Sequence, residues 1–170
     1  MRCFFSVVPD AASRLQIESW RRRCWPTLER PVAAQNFHLT LAFVGDIDQG
    51  QLQVLEEVMD ACPVPQFNLT LNDVGYWSDS SVLWLAPVQP PEALMTLARR
   101  CASAANKAGV RVSRRRYQPH LTLARRVTLP PAPPLMEADF QFQVSGFLLQ
   151  QSILDKQGAR YIDVCGWGEV

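Results

Sequence analysis

Phe37-His38-Leu39-Thr40-Leu41 returns 82 residues later as Pro119-His120-Leu121-Thr122-Leu123, and the two copies contain the only two histidines of the chain. Side chains alternate between the two faces of an extended strand, so each copy predicts a His and a Thr on one face and leucines on the other. A single copy would be typical of any half-buried strand. Two copies that hold both histidines indicate a duplicated unit with a functional polar face.

A wider repeat surrounds these copies. An apolar strand at 2–9, a helix, the His38 strand and the strand at 67–71 follow one another in the first half of the chain. The second half has the same order, with a strand at 81–87, a helix, the His120 strand and a strand at 140–144. The pattern indicates two similar lobes whose histidine faces meet if a pseudo-twofold axis relates them.

We therefore predict an α/β (α+β) fold, a bilobal internal duplication in which two mainly antiparallel sheets with outer helices surround a central cleft. The chain is expected to form one bilobal domain over 1–170. Its repeat halves are placed at about 2–77 and 81–154, and a final strand at about 160–165.

Local signals place three further segments. Asp48-Gln49-Gly50-Gln51 is typical of a capping box that starts a helix. The alternation of 67–74 predicts one strand, and Gly75-Tyr76-Trp77-Ser78-Asp79-Ser80 is interpreted as the turn after it. The proline-rich stretch 129–134 predicts a connector without regular structure.

Composition limits the class of protein. With 170 residues, 48% of them apolar, the chain can bury one substantial core. No segment reaches the roughly 18 consecutive apolar residues of a membrane span, and the first residues do not resemble a signal peptide. The five cysteines are scattered without a Cys-x-x-Cys pair or a metal-binding pattern. We therefore expect a cytoplasmic monomer without membrane contact, cofactor or metal.

Charge is distributed unevenly although the formal net charge is only +1. Between Ala93 and Met136 there are nine basic residues and no acidic one. The nine are Arg99, Arg100, Lys107, Arg111, Arg114, Arg115, Arg116, Arg125 and Arg126. Such a segment beside the second His-x-Thr copy suits the steering of a polyanion such as RNA. The alternative interpretation is a solvated basic surface.

Two imidazoles that face one cleft suit concerted acid-base catalysis near neutral pH, because each can donate or accept a proton. The hydroxyls of Thr40 and Thr122 can donate hydrogen bonds to non-bridging phosphate oxygens. Arg125 lies three residues after Thr122 and can add positive charge for a phosphorane-like transition state. Hydrolysis of a phosphodiester needs these groups and no metal, provided that the two imidazoles lie within about 12 Å of each other.

The chain resembles the two-histidine (2H) phosphoesterases, and within them the bacterial and archaeal RNA 2′,3′-cyclic phosphodiesterases, also described as 2′-5′ RNA ligases. The matching stretches are 2–9, 36–45 and 119–125. The resemblance implies a bilobal α/β duplication that opens terminal 2′,3′-cyclic phosphates of RNA, or cyclic nucleotides, to 2′-phosphomonoesters. It also implies that His38 is the proton donor to the departing 3′ oxygen and that His120 is the proton acceptor that activates water.

Two alternatives stay open at this stage. The same residues would support 2′-5′ ligation of RNA as the main activity, by microscopic reversibility. The two motifs could also bind a terminal phosphate without catalysing a reaction, as a non-catalytic RNA-end-binding module. A bell-shaped pH–rate profile would separate catalysis from binding alone.

Overall fold

A computed structural model describes residues 1–113, 115–156 and 158–170. Three α-helices and eight strands are present in these residues. The helices are α1 (Ala11–Cys24), α2 (Gln49–Asp60) and α3 (Glu92–Lys107). The strands are β1 (Arg2–Val7), β2 (Leu39–Asp46), β3 (Phe67–Leu71), β4 (Asp73–Trp77), β5 (Val82–Ala86), β6 (Leu121–Arg125), β7 (Phe140–Asp155) and β8 (Gly158–Glu169).

All strand pairings are antiparallel in the part of the chain described. The strand order is β3-β7-β1-β2-β6-β5-β4, and β8 pairs with β7. The predicted α+β class with antiparallel strands is confirmed. The two predicted sheets are joined, because β7 is long enough to pair with β3 through its first half and with β1 through its second.

Where strands of the two predicted halves pair, residues at equivalent positions of the repeat face each other. Leu39 pairs with Leu121, and Leu69 pairs with Phe142. In two copies related by a twofold axis, a residue next to the axis faces its own counterpart. The register therefore supports the predicted duplication, while the division into lobes stays a prediction.

The buried core lies on one face of the central strands. Leu39, Leu41, Leu121 and Leu123 are each almost fully buried. The apolar side of α3, including Leu94, Leu97 and Cys101, belongs to the same core. Because side chains alternate along a strand, His38, Thr40, His120 and Thr122 are left on the opposite face. The core thus fixes the face on which the two motifs lie.

Helix starts follow the sequence signals. Asp10 caps α1 by accepting from the Ser13 backbone N–H at 2.9 Å. Asp48 and Gln51 form the reciprocal capping box of α2, with distances of 2.8 and 3.1 Å. Such caps satisfy backbone donors that the first helical turn leaves unpaired, so they fix where each helix begins.

The prediction for residues 67–80 was wrong in its boundaries. The chain forms two strands, β3 and β4, and the tight turn comes later, where the Ser81 N–H donates to the Ser78 carbonyl at 3.3 Å. Gly75 lies inside β4, where an added Cβ would come within 2.0 Å of the Trp84 indole. Its role is therefore to let this ring lie against the backbone, rather than to form a turn.

The final strand is longer than predicted, because β8 pairs with β7 along its whole length. The proline-rich stretch forms no strand or helix, as predicted. The Trp25 indole N–H, next to the end of α1, donates to the Ala132 carbonyl of this stretch at 2.8 Å. The Trp20 indole N–H donates to the Met136 carbonyl, just after the stretch, at 2.9 Å. Within the described residues, the helices lack the length and apolar character needed to cross a membrane.

Candidate active site

The β2–β6 pairing brings the two His-x-Thr copies together. Leu39 faces Leu121, so antiparallel register places His38 beside Thr122 and Thr40 beside His120. Directly opposed side chains in such a pair have Cβ atoms about 5 Å apart, and diagonal neighbours such as the two histidines about 7–8 Å apart. All four side chains are half-buried. The structure thus assembles four of the five predicted site residues on one small patch.

His38 is held by its own strand and by aromatic rings. Its Nδ1 lies 2.7 Å from the Asn36 carbonyl, and its Nε2 lies 3.1 Å from the Thr40 hydroxyl. The ring centroids of Phe4 and Tyr161 lie 5.0 and 4.9 Å from that of His38. The rings come from β1 and β8, so three distant segments fix the orientation of this imidazole.

His120 has a matching backbone contact but different ring neighbours. Its Nδ1 lies 2.8 Å from the Gln118 carbonyl. Trp77 packs edge-on against the imidazole with 4.6 Å between centroids, and Trp84 packs against Trp77 at 5.4 Å. A carbonyl oxygen can only accept, so Nδ1 carries the hydrogen in both histidines. In each ring Nε2 is therefore the atom that gains or loses a proton.

Burial lowers the pKa of both histidines, because the charged imidazolium loses water contact. The pKa of His38 falls from 6.5 to about 4. Burial is the main cause, the Asn36 carbonyl opposes the shift, and the charges of Arg125 and His120 add to it. Arg125 also lowers the pKa of His120. His38 is therefore neutral at pH 7 in the free protein, and burial favours the neutral form of His120 as well.

A β-bulge follows each motif and turns the next residues toward the site. Ala42 and Thr40 pair with the consecutive residues Phe5 and Ser6, so Leu41 is an extra residue in β2. In β6 the extra residue is Leu123 by the same comparison. After the extra residue, position 43 in one copy and position 125 in the other return to the histidine face.

The two residues at these equivalent positions differ in chemistry. Phe43 is 67% exposed and pairs with Phe4, the neighbour of His38. Arg125 is exposed at the end of β6 and pairs with Val82. The fifth predicted site residue, Arg125, thus lies at the rim of the same patch, and Phe43 lies at its other rim.

Sequence reasoning missed the aromatic residues of the site. Phe4 and Trp84 alternate with core residues in β1 and β5, so their face could have been inferred from strand periodicity. Tyr161 and Trp77 belong to the hairpins β7–β8 and β4–β5. These hairpins reach the histidine strands because β7 pairs with β1 and β5 pairs with β6. No short-range signal marks such contacts.

The basic residues of 93–136 do not form one surface. Arg99, Arg100 and Lys107 belong to α3, which packs on the core face of β2, so the sheet separates them from the histidines. Arg99 also pairs with Glu92 at 2.6 Å. Arg111, Arg115 and Arg116 are exposed in the segment before β6. Arg114, part of the predicted arginine run, lies outside the described residues.

No group of three or more His, Cys, Asp or Glu side chains is arranged to hold a metal ion among the residues that the structure describes. The five cysteines, all within those residues, are unpaired. The patch therefore presents two imidazoles and two hydroxyls, with one guanidinium at its rim.

Comparison with known proteins agrees with this arrangement. The sequence profile of the 2′-5′ RNA ligase superfamily matches residues 8–149. The RNA 2′,3′-cyclic phosphodiesterase of Escherichia coli (strain K12) is 37% identical over 171 residues, which cover 98% of this chain and 95% of that protein.

Solved structures show the same fold. A structure described as a phosphoesterase superposes with a TM-score of 0.91 at 35% identity, covering 98% of this chain and 97% of the other. The structure of E. coli LigT complexed with 3′-AMP superposes with a TM-score of 0.89 at 35% identity, with the same coverage of 98% and 97%. With a profile that spans most of the chain and a curated relative aligned over nearly all of it, the chain belongs to the 2′-5′ RNA ligase superfamily of two-histidine phosphoesterases.

Proposed function

We propose that this protein hydrolyses RNA 2′,3′-cyclic phosphate ends to 2′-phosphomonoesters by acid-base catalysis with two histidines and no metal. The observation that carries the proposal is the pairing of Leu39 with Leu121, because it puts both imidazoles and both hydroxyls on one face within reach of one phosphate. The curated relatives named RNA 2′,3′-cyclic phosphodiesterase support the same reaction.

His120 acts as the proton acceptor in this proposal, and His38 as the proton donor. The Nε2 of His120 takes a proton from water while the water oxygen forms a bond to phosphorus. The bond between phosphorus and the 3′ oxygen breaks on the opposite side, and the Nε2–H of His38 gives its proton to that oxygen. The 2′ oxygen keeps the phosphate, so the product is a 2′-phosphomonoester.

The order of the two roles follows the resemblance to the two-histidine phosphoesterases. A group with a lower pKa is a stronger proton donor once it is protonated, and His38 is the ring whose pKa falls to about 4. The anionic phosphate opposes this depression when it binds between the rings, so we expect substrate to raise the protonated fraction of His38.

Thr40, Thr122 and Arg125 are proposed to bind the substrate. The two hydroxyls lie beside the imidazoles and donate to non-bridging phosphate oxygens. Arg125 lies close enough to influence the pKa of both histidines, so its charge also reaches a phosphate placed between them. A guanidinium can stabilise the extra negative charge of the transition state.

The proposed setting is the cytoplasm, where the chain acts as a monomer on RNA ends or cyclic nucleotides. Five unpaired cysteines suit a reducing compartment. The direct test is incubation of the purified protein with an oligonucleotide that ends in a 2′,3′-cyclic phosphate, with EDTA present. We expect a 2′-phosphate product; a 3′-phosphate, a ligated product or no turnover would contradict the proposal.

A further inference from the structure

A cavity of about 800 Å³ opens beside His38. Tyr161 connects the two places, since it lines the cavity and its ring packs against the His38 imidazole at 4.9 Å. Asn36, at the entry to the His38 strand, donates to the Ala159 carbonyl at 2.8 Å and ties β8 to that strand. The cavity is therefore an extension of the proposed active site along β8.

The cavity is too long for the terminal nucleotide alone. Its walls follow the β7–β8 pair from Tyr161, which faces Ser152, to Glu169, which faces Ser145. Eight residue steps along β8 separate these ends, which is roughly 25 Å at the rise of an antiparallel strand. A nucleotide whose phosphate lies between the histidines leaves this space free for the RNA that precedes it.

The charge of the cavity does not suit phosphate. Asp163 and Glu169 line it together with the capping residue Asp10, and Arg14 is the cationic side chain among the lining residues. Gln35, Gln143 and Gln150 add uncharged hydrogen-bonding groups. Polar walls with three acidic side chains and one basic side chain, beside one aromatic ring, suit a nucleobase, which is uncharged and has N–H donors on its edge.

Asp163 is held in a fixed orientation by a chain of hydrogen bonds. The buried Ser6 hydroxyl donates to the Gln150 side-chain oxygen at 2.7 Å, and the Gln150 amide donates to Asp163 Oδ1 at 2.7 Å. Ser6 is the strand partner of Thr40, so this series of hydrogen bonds starts beside the first His-x-Thr motif. Asp163 is exposed, and its second oxygen is available to accept a further hydrogen bond.

We propose that this cavity binds the nucleobase of the ribonucleotide immediately 5′ to the cyclic end, with Asp163 accepting a hydrogen bond from an N–H of that base. The inference rests on the proposed function and adds a subsite to it. Asp163 lies two residues from Tyr161 on the same strand face, so a base that contacts Asp163 would lie next to the ring that packs against His38.

The test compares three substrates on the full-length protein. The first is guanylyl-(3′→5′)-adenosine 2′,3′-cyclic phosphate, and the second has an abasic ribose in place of the guanosine. The third is adenosine 2′,3′-cyclic phosphate alone. We expect the unmodified protein to have a KM for the first substrate roughly tenfold or more below that for the abasic one, as a hydrogen bond to a charged group predicts.

Asp163→Asn tests the assigned residue. It preserves the oxygen that accepts from Gln150 and replaces the free oxygen by an NH2 donor, which opposes the base N–H. We expect this variant to lose most of the preference for the guanine-containing substrate, with no change for the other two. Asp139→Asn is the matched control, because Asp139 also accepts from a glutamine, Gln141, at 3.2 Å but does not line the cavity.

Three results would overturn the subsite. The KM values for the guanine-containing and abasic substrates could be equal in the unmodified protein. Asp163→Asn could leave the preference intact. It could also lower both KM values together, which would show that Asp163 only repels the RNA backbone. Hydrolysis of adenosine 2′,3′-cyclic phosphate tests the proposed function separately, because this substrate does not enter the cavity.

Discussion

His38 and His120 occupy equivalent positions of the repeat, yet the rings around them differ. His38 lies between Phe4 and Tyr161, and its Nε2 is 3.1 Å from Thr40. His120 meets Trp77, and its Nε2 makes no hydrogen bond within the part of the chain described. The repeated motif thus supplies two identical side chains, and neighbours from other strands give them different surroundings.

The two copies also differ just after the β-bulge that follows each motif. Position 43 carries an exposed Phe, and position 125 carries an Arg. One rim of the site is therefore aromatic and the other cationic. A symmetric pair of motifs can hold a phosphate in either direction, but a site with two different rims can orient an asymmetric ligand. The residues outside the motif therefore give the site two different ends, although the motif itself is repeated.

The largest expected effect is the loss of either histidine. His38→Ala and His120→Ala should each lower kcat by roughly 10²-fold or more, because each removes a proton transfer from the transition state. Circular dichroism and thermal unfolding should stay close to those of the unmodified protein. Activity that falls only in proportion to the unfolded fraction would instead assign a structural role to the histidines.

The threonines are expected to matter less. Thr40→Val and Thr122→Val preserve shape and remove the hydroxyl, so each should cost about 1.5–3 kcal/mol of transition-state stabilisation, measured from kcat/KM. Thr40 also contacts His38, so its variant should shift the pKa of that ring while Thr122→Val should not. Unchanged kinetics in both variants would exclude the hydroxyls from phosphate binding.

The pKa difference can be measured directly, because a chain with two histidines gives two imidazole signals in an NMR titration. We expect His38 to titrate near pH 4 and the pKa of His120 to lie below its usual value of 6.5. Tyr161→Ser should raise the pKa of His38 by admitting water, and Trp77→Ser should raise that of His120. Overlapping titrations that neither substitution moves would contradict the unequal surroundings.

The same pKa values predict how activity depends on pH. Catalysis needs one ring protonated and the other neutral, and lowering both pKa values moves that state to lower pH. The maximum of kcat/KM, which reports the free enzyme, should therefore lie below pH 6.5. The maximum of kcat should lie higher, because bound phosphate raises the pKa of the histidines.

The smallest effect concerns the basic segment before β6. If Arg115 and Arg116 guide RNA, KM for a long oligonucleotide should rise steeply with salt, and replacing both by Gln should flatten this dependence. A cyclic mononucleotide should respond little. Arg125→Gln is the contrasting variant, since it should slow both substrates alike. Equal salt slopes for the two substrates in the unmodified protein would leave the segment as a solvated surface.

The sequence was sufficient for the parts of the site that depend on strand periodicity. A repeated His-x-Thr between leucines determines which side chains share a face, and the repeat order indicates that the two faces meet. The aromatic neighbours depend on long-range pairings, such as β7 with β1, that no local pattern specifies. The bulges after Thr40 and Thr122 could not be predicted from the sequence either, because the extra residue in each is apolar like its neighbours. Gly75 was misread because a glycine under an indole looks, in sequence, like a glycine in a turn.

The division of roles between the two rings is tested most directly by changing the leaving group. Bis(p-nitrophenyl) phosphate releases p-nitrophenolate, which departs without a proton, whereas a ribose 3′ oxygen needs one. If His38 is the donor and His120 the acceptor, His38→Ala should regain most of its lost activity on the nitrophenyl substrate, and His120→Ala should stay impaired on both substrates. Equal recovery of the two variants, or recovery of His120→Ala alone, would contradict the account.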